Sequence, residues 1–260
     1  MKRLLYGLAI FSLHWIFSGS AFSSPADKNV LYQISTVNAL LEGVLDGVTD
    51  IQTLKAKGDF GLGTFDALDG EMVVLDGVVY QIKEDGTVSV AADSMKTPFS
   101  SVLFFESSKT VTLDGPFVFS ELAQKLDPLL STPNIIYAVK IEGVFDYVKT
   151  RSVPRQKKPY PSLTEIVKTQ PTFEFHNVKG TFVGFRFPEY MGGLNVPDYH
   201  IHFITADRKG GGHVLDWQLG AAKVQIAQIT DLEMSLPRSK EFYEAPLSGS
   251  QKTDLMKVEH

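Results

Sequence analysis

The chain has 260 residues, 43 % hydrophobic and 21 % charged, with a formal net charge of −5 and no cysteine. That apolar mass suffices for one large domain or two modest ones, and an acidic balance without a long basic run excludes nucleic acid as a partner, because phosphate binding needs clustered Lys and Arg. Without cysteine there is no disulfide, no thiol nucleophile and no thiolate ligand, so any metal must bind through His and carboxylate groups.

Residues 1–23 open with Lys2 and Arg3, continue through an apolar core from Leu4 to Phe17, and end with small residues at Ala21 and Ser23. This pattern predicts a cleaved secretory signal, and so export to the periplasm or the medium. An uncleaved anchor is the competing reading, but the apolar core is shorter than the ~20 residues a bilayer span needs. Cleavage leaves 23 basic against 30 acidic groups, a charge of −7. No later segment is apolar enough to span, so no membrane insertion is expected after cleavage.

From Val30 to Lys57 the apolar residues Ile34, Val37, Leu40, Leu41 and Val44 fall at helical spacing, and a second short helix is expected to start near Thr49 or Asp50. From Asp59 to Ala92, β-branched runs are separated by Asp-Gly at 76–77 and 85–86, a strong hairpin signal. Residues 100–107 and 135–153 read as strands, with a helix between them in "SELAQKLDPLL" capped by Ser120. The stretch 154–161, "PRQKKPYP", reads as a linker or long loop, and Ser162-x-x-Glu165 as a capping box for a short helix over 163–169. Residues 172–187, 199–205, 213–220 and 223–236 read as strands. The expected class is α/β (α+β), with a domain over 24–155 and a second over 156–260.

Three of the six histidines lie between residues 200 and 213. In a strand, His200 and His202 project to one face, with Tyr199, Ile201 and Phe203 on the other. A reversal over Asp207–Gly212, eased by Gly210, Gly211 and Gly212, returns His213 to the pair. Three neutral imidazoles on one point suit a divalent metal, zinc above all, and leave a coordination position open. His-x-His alone reads better as a satisfied surface or core pair than as a metal site; the third His shifts the balance. A cupin site would want a Glu shortly after the pair, and none is there. His14, His176 and His260 read as bystanders.

"YHIHFITADRKGGGHVLDW" (199–217) resembles the metal-binding hairpin of the α-acetolactate decarboxylase family. "GDFGLGTFDALDGEMVVLDG" (58–77), "YAVKIEGVFDYVKTRSV" (137–153) and "VKTQPTFEFHNVKGTFVGFRFPEY" (167–190) are similar to other segments of that family, in the same order, so the likeness covers about residues 30–260. It implies two domains, each built on a mixed sheet, with the metal in the C-terminal one and a homodimer as the assembly. The implied reaction is non-oxidative decarboxylation of α-acetolactate to acetoin and CO₂. Zinc or another divalent ion bound by three histidines would stabilise the enediolate, with no organic cofactor. The resemblance makes His200, His202 and His213 metal ligands, and places Glu71, Arg151, Glu259 and Thr64 in the pocket. Glu71 or Glu259 would return the proton, and Arg151 would orient the carboxylate. Two other readings compete: a carbonic-anhydrase-like hydratase or other three-histidine zinc enzyme, and a non-catalytic periplasmic metal-binding module.

Overall fold

The computed structural model describes residues 30–248 and 251–259. The signal predicted over 1–23, His14 and His260 lie outside the described residues. In chain order the first half holds β1 (Val30–Ile34), α1 (Val37–Leu41), β2 (Thr49–Asp50), α2 (Ile51–Lys55), β3 (Phe60–Thr64), β4 (Glu71–Leu75), β5 (Val78–Ile82), β6 (Val88–Val90), β7 (Lys96–Thr97), β8 (Ser100–Leu103), β9 (Lys109–Leu113), β10 (Phe117–Val118) and α3 (Leu122–Leu126). The second half holds β11 (Ile136–Arg151), α4 (Leu163–Ile166), β12 (Thr172–Phe187), β13 (Asp198–Thr205), β14 (Gly211–Ile229), β15 (Asp231–Ser235), α5 (Lys240–Glu244) and α6 (Lys252–Glu259). Among the described residues no helix is long and apolar enough to cross a membrane.

The strands form two principal sheets, which is the mixed α/β class expected. The first has the order β15-β1-β8-β3-β4-β5-β6. The second runs β10-β14-β11-β12-β13, with β9 also on β14. The start of β14 pairs back onto β13, His202 facing His213, so β11, β12, β13 and β14 close a ring of pairings.

Period-two alternation decides which side chains fill that ring and which face the first sheet. Phe182, Ile201, Phe203 and Val214 pack inside the ring with Phe145 and Trp217. Phe182 lies 4.3 Å from Phe145 and 5.5 Å from Phe203, centroid to centroid. Their neighbours Val183, Phe185 and Ile204 point the other way and pack on Phe60, Leu62 and Val73 of the first sheet. His200 and His202 share parity with Ile204, so both face this seam between the sheets.

The elements near the site depart from the sequence expectations in instructive ways. Val30–Ile34 is a strand, paired in parallel to β15 and antiparallel to β8, because "VLYQI" gains more from the sheet than from extending α1. Asp76 and Gly77 both take positive φ, as the first Asp-Gly turn predicts; at the second only Gly86 does. Ser120 is no cap, since α3 follows a 3₁₀ turn. Ser162 precedes α4, but its hydroxyl meets Thr164 and makes no cap bond. The strands expected over 213–220 and 223–236 are instead one long strand, β14, that runs through both, followed by the short β15.

The sheets do not divide at 155/156. β11 lies before that boundary yet sits centrally in the second sheet, while β15 lies after it yet edges the first. The physical reason is pairing: β11 offers both its edges to β12 and β14 along nearly its whole length. The supposed linker is a strap over the first half. Arg155 pairs with Asp66 at 2.7 Å, Lys158 with Asp46 at 2.5 Å, and Gln156 N–H donates to the Ala67 carbonyl.

Of the three glycines only Gly210 belongs to the reversal, which spans residues 206–210, with Thr205 Oγ1 accepting from the Lys209 and Gly210 amides and Arg208 at φ 59°. Gly212 already lies in β14, at φ 132°, and a Cβ there would sit 2.3 Å from the Arg151 carbonyl. Only glycine lets β14 approach β11 this closely just before His213.

Candidate metal centre

Strand register builds the centre. His202 on β13, His213 on β14 and Arg151 on β11 are successive cross-strand partners, so they form one row across three strands. His200 lies two residues along β13 on the same face. The three imidazole centroids are 5.0–5.3 Å apart. One nitrogen from each ring falls within 4.8 Å of those of the others.

The first sheet brings Thr64 and Glu71, direct partners across β3 and β4. Thr64 donates its hydroxyl to the Gly70 carbonyl at 2.7 Å, so it presents only lone pairs elsewhere. Gly70 has φ 89°, which turns that carbonyl back toward Thr64 at the head of β4. Glu259 comes from α6, whose Leu255 and Val258 bury against a cluster with Leu163 and Ile166. All seven side chains singled out in the sequence line one cavity of about 40 Å³, walled by apolar groups including Leu68, Phe99, Val153 and Val196. A larger cleft of about 500 Å³ adjoins it, sharing His213, Val196 and Glu259.

Burial sets the charge states. It holds the His200 ring far below its ordinary value, to about 3, with Arg151 adding to the effect. His202 and His213 are likewise pushed well down by burial first. The rings are therefore neutral, and each has a lone pair to give. His202 Nδ1 lies 2.8 Å from the Met72 carbonyl and must donate to it, which leaves Nε2 as the basic nitrogen. His200 Nδ1 is buried without a partner among the described residues.

The carboxylates sit across these nitrogens at more than hydrogen-bond length. Glu71 Oε2 is 3.5 Å from His202 Nε2, and Glu259 Oε2 is 3.6 Å from His213 Nε2 and 3.9 Å from His200 Nε2. With neutral rings these are not ion pairs. Two donors each ~2.1 Å from one tetrahedral ion lie roughly 3.4 Å apart. The carboxylate–nitrogen spacings are close to that value, the three ring nitrogens lie within 4.8 Å of one another, and the donor set of three neutral nitrogens plus carboxylate oxygens is one that zinc and similar divalent ions accept. The residues present thus fit a divalent cation.

Glu71 is the most perturbed carboxyl. Burial pushes it up to about 7, Arg151 pulls it down, and Glu259 raises it again. Arg151 is 4 % exposed, with Nη1 3.6 Å from Glu71 Oε1 and 3.1 Å from Gln170 Oε1. Gln170 and the Met72 carbonyl were not singled out in the sequence. A signal for Gln170 was available: Pro171 follows it, and an X-Pro pair at a strand start holds X extended. His176 is exposed and stacks on Tyr147, 5.2 Å between centroids, away from the centre.

A mixed α/β protein with a buried histidine triad in its C-terminal half, placed so that it could hold a metal ion, is the class that fold and site define. Residues 31–249 match the family model described as alpha-acetolactate decarboxylase. The chain is 52 % identical over 234 residues to the alpha-acetolactate decarboxylase of Methanosarcina mazei, covering 89 % of this chain and 81 % of that protein. It is 44 % identical over 226 residues to that of Brevibacillus brevis, covering 87 % and 79 %. The crystal structure of alpha-acetolactate decarboxylase from Bacillus subtilis strain 168 superposes with a TM-score of 0.86 at 39 % identity, covering 88 % of this chain and 99 % of that one. The chain belongs to the alpha-acetolactate decarboxylase family, and it is an enzyme of that type.

Glu71 predicts a pH signature in the metal-free protein. Its folded value lies above the ordinary 4.5, so the stability it contributes is complete below that value and is lost as pH rises through about 7. Glu71→Gln removes this dependence. Denaturant unfolding of chelated protein should show wild type losing about 3 kcal/mol relative to Glu71→Gln between roughly pH 4 and pH 8. A difference that stays flat with pH contradicts the assignment.

Proposed function

We propose that this enzyme converts α-acetolactate to acetoin and CO₂ without oxidation, using a divalent cation, zinc or a similar ion, held by His200, His202 and His213. The observation that carries the reading is the convergence of three neutral ring nitrogens, within 4.8 Å of one another, in a chain of this family. When bound, the cation supplies Lewis acidity toward the negative charge that develops on the ketone oxygen as the carbon–carboxylate bond breaks.

The chain's own side chains do the rest. Arg151 is a buried cation whose Nε has no partner among the described residues, suited to hold the substrate carboxylate until it leaves as CO₂. The bond's electron pair becomes the carbon–carbon double bond of an enediolate, and a proton must then return to that carbon. Among the described residues, Glu71 and Glu259 are the carboxyls that line the cavity. Glu71 faces the cavity beside Arg151, and in the metal-free protein burial pushes it up to about 7, which makes it the carboxyl better suited to hold and return that proton. Thr64, its own hydrogen committed to Gly70, accepts a hydrogen bond from a hydroxyl or carboxyl in the cavity. The walls of Leu68, Phe99, Val153 and Val196 exclude water and suit the substrate's methyl groups.

A coupled assay for acetoin on the purified full chain tests this. Zinc-loaded protein should form acetoin, chelation should abolish it, and His200→Ala should bind the ion and turn over at least about a hundredfold less well. Acetoin formation by fully chelated protein overturns the reading. So does a zinc-loaded protein that only hydrates CO₂ or only binds metal. We also propose export, from the charged start and short apolar core of residues 1–23; an intact Met1 terminus on the mature protein overturns that.

A further inference from the structure

We propose that Gln170 is a positioning residue for Arg151, holding the guanidinium so that it receives the substrate's carboxylate with its positive charge undiminished. This rests on the reading above that Arg151 meets that carboxylate.

The geometry is built from the chain outward. Pro171 confines Gln170 to extended backbone, and it takes φ −65° and ψ 134°. The Pro171 carbonyl accepts from the Ser152 amide at 3.2 Å, which ties this segment to the end of β11. The next residue, Thr172, pairs directly with Arg151. Ser152 and Thr150, on either side of Arg151, are pinned in turn by their hydroxyls to the Ile82 and Gly211 carbonyls at 2.8 Å. The backbones carrying both side chains are thus fixed, and Gln170 Oε1 accepts from Arg151 Nη1 at 3.1 Å.

The choice of an amide has a chemical consequence. Arg151 is buried and already has Glu71 at 3.6 Å. A second carboxylate on Nη1 would neutralise the guanidinium and repel an anionic substrate. A neutral amide fixes the plane of the fork and spends no charge. Nε stays without a partner among the described residues, on a side chain that lines the cavity.

The probe is 2-hydroxy-2-methylpropanoate, a hydroxy acid that lacks the ketone and so cannot lose CO₂ by this route. Its binding to zinc-loaded protein is measured by calorimetry for wild type, Gln170→Ala, Arg151→Lys and the double variant, with thermal unfolding recorded for each. Gln170→Ala should weaken the probe by about ten- to a hundredfold, as expected for a hydrogen bond to a charged group, with little change in unfolding temperature. In the Arg151→Lys background the same change should cost nothing more. Gln170→Glu, equal in shape, should also weaken the probe and raise KM for α-acetolactate. Equal losses in both backgrounds, wild-type affinity in Gln170→Ala or Gln170→Glu, or no binding to wild type overturns the proposal. Absence of acetoin from wild type counts against the decarboxylase reading alone, since the binding cycle needs no turnover.

Discussion

The cross-strand row His202–His213–Arg151 is the constraint on which the rest of this structure depends. Strand pairing sets it, because a one-residue slip of β14 would turn His213 into the aromatic interior of the ring and leave Val214 at the seam. The register is held on both sides of β14, by β13 and by β11. Gly212 allows the close approach to Arg151 that a side chain would block. Loop plasticity has little part in placing these groups, since Arg151, His200, His202 and His213 all lie on strands.

The same placement sets the chemistry. Facing the seam between two sheets removes the imidazoles from water, and burial is the leading reason that all three are neutral. Neutral rings are poor partners for the nearby carboxylates but good donors to a cation. The first sheet adds Glu71 and Thr64 from paired strands, and α6 adds Glu259 from the chain's last described turn. One guanidinium then stands among three rings and a carboxyl whose proton is retained to about 7. The centre therefore has its polarity fixed before any ligand arrives, which is the arrangement electrostatic stabilisation of a developing oxyanion calls for.

Much of this could be read from the sequence where local chemistry dictates geometry. The His-x-His alternation, the Asp76-Gly77 turn and the long strands at 136–151 and 172–187 follow from period and propensity. What could not be read depends on distant partners. Val30–Ile34 becomes a strand only because β8 and β15 lie beside it. β11 belongs with the strands that follow it, across a boundary that the proline-rich loop seemed to mark, because sheets are assembled by edges rather than by sequence order. The glycines after Lys209 looked like turn residues; Gly211 and Gly212 serve close packing within β14 instead. Among the candidate site residues, the histidine triad could be argued from spacing, whereas Glu71, Arg151, Thr64 and Glu259 came from family likeness. No spacing links positions 64, 71, 151 and 259; only the fold brings them to one cavity. Gln170 shows the remaining gap, since its partner is defined by a pairing that begins two residues later.

X-ray absorption at the zinc edge, on protein loaded with one equivalent, tests the central claim most directly. Three imidazole nitrogens at ~2.0 Å, reduced in His213→Ala, are expected if the row and His200 hold the ion. A first shell of oxygen alone, unchanged in that variant, would contradict it.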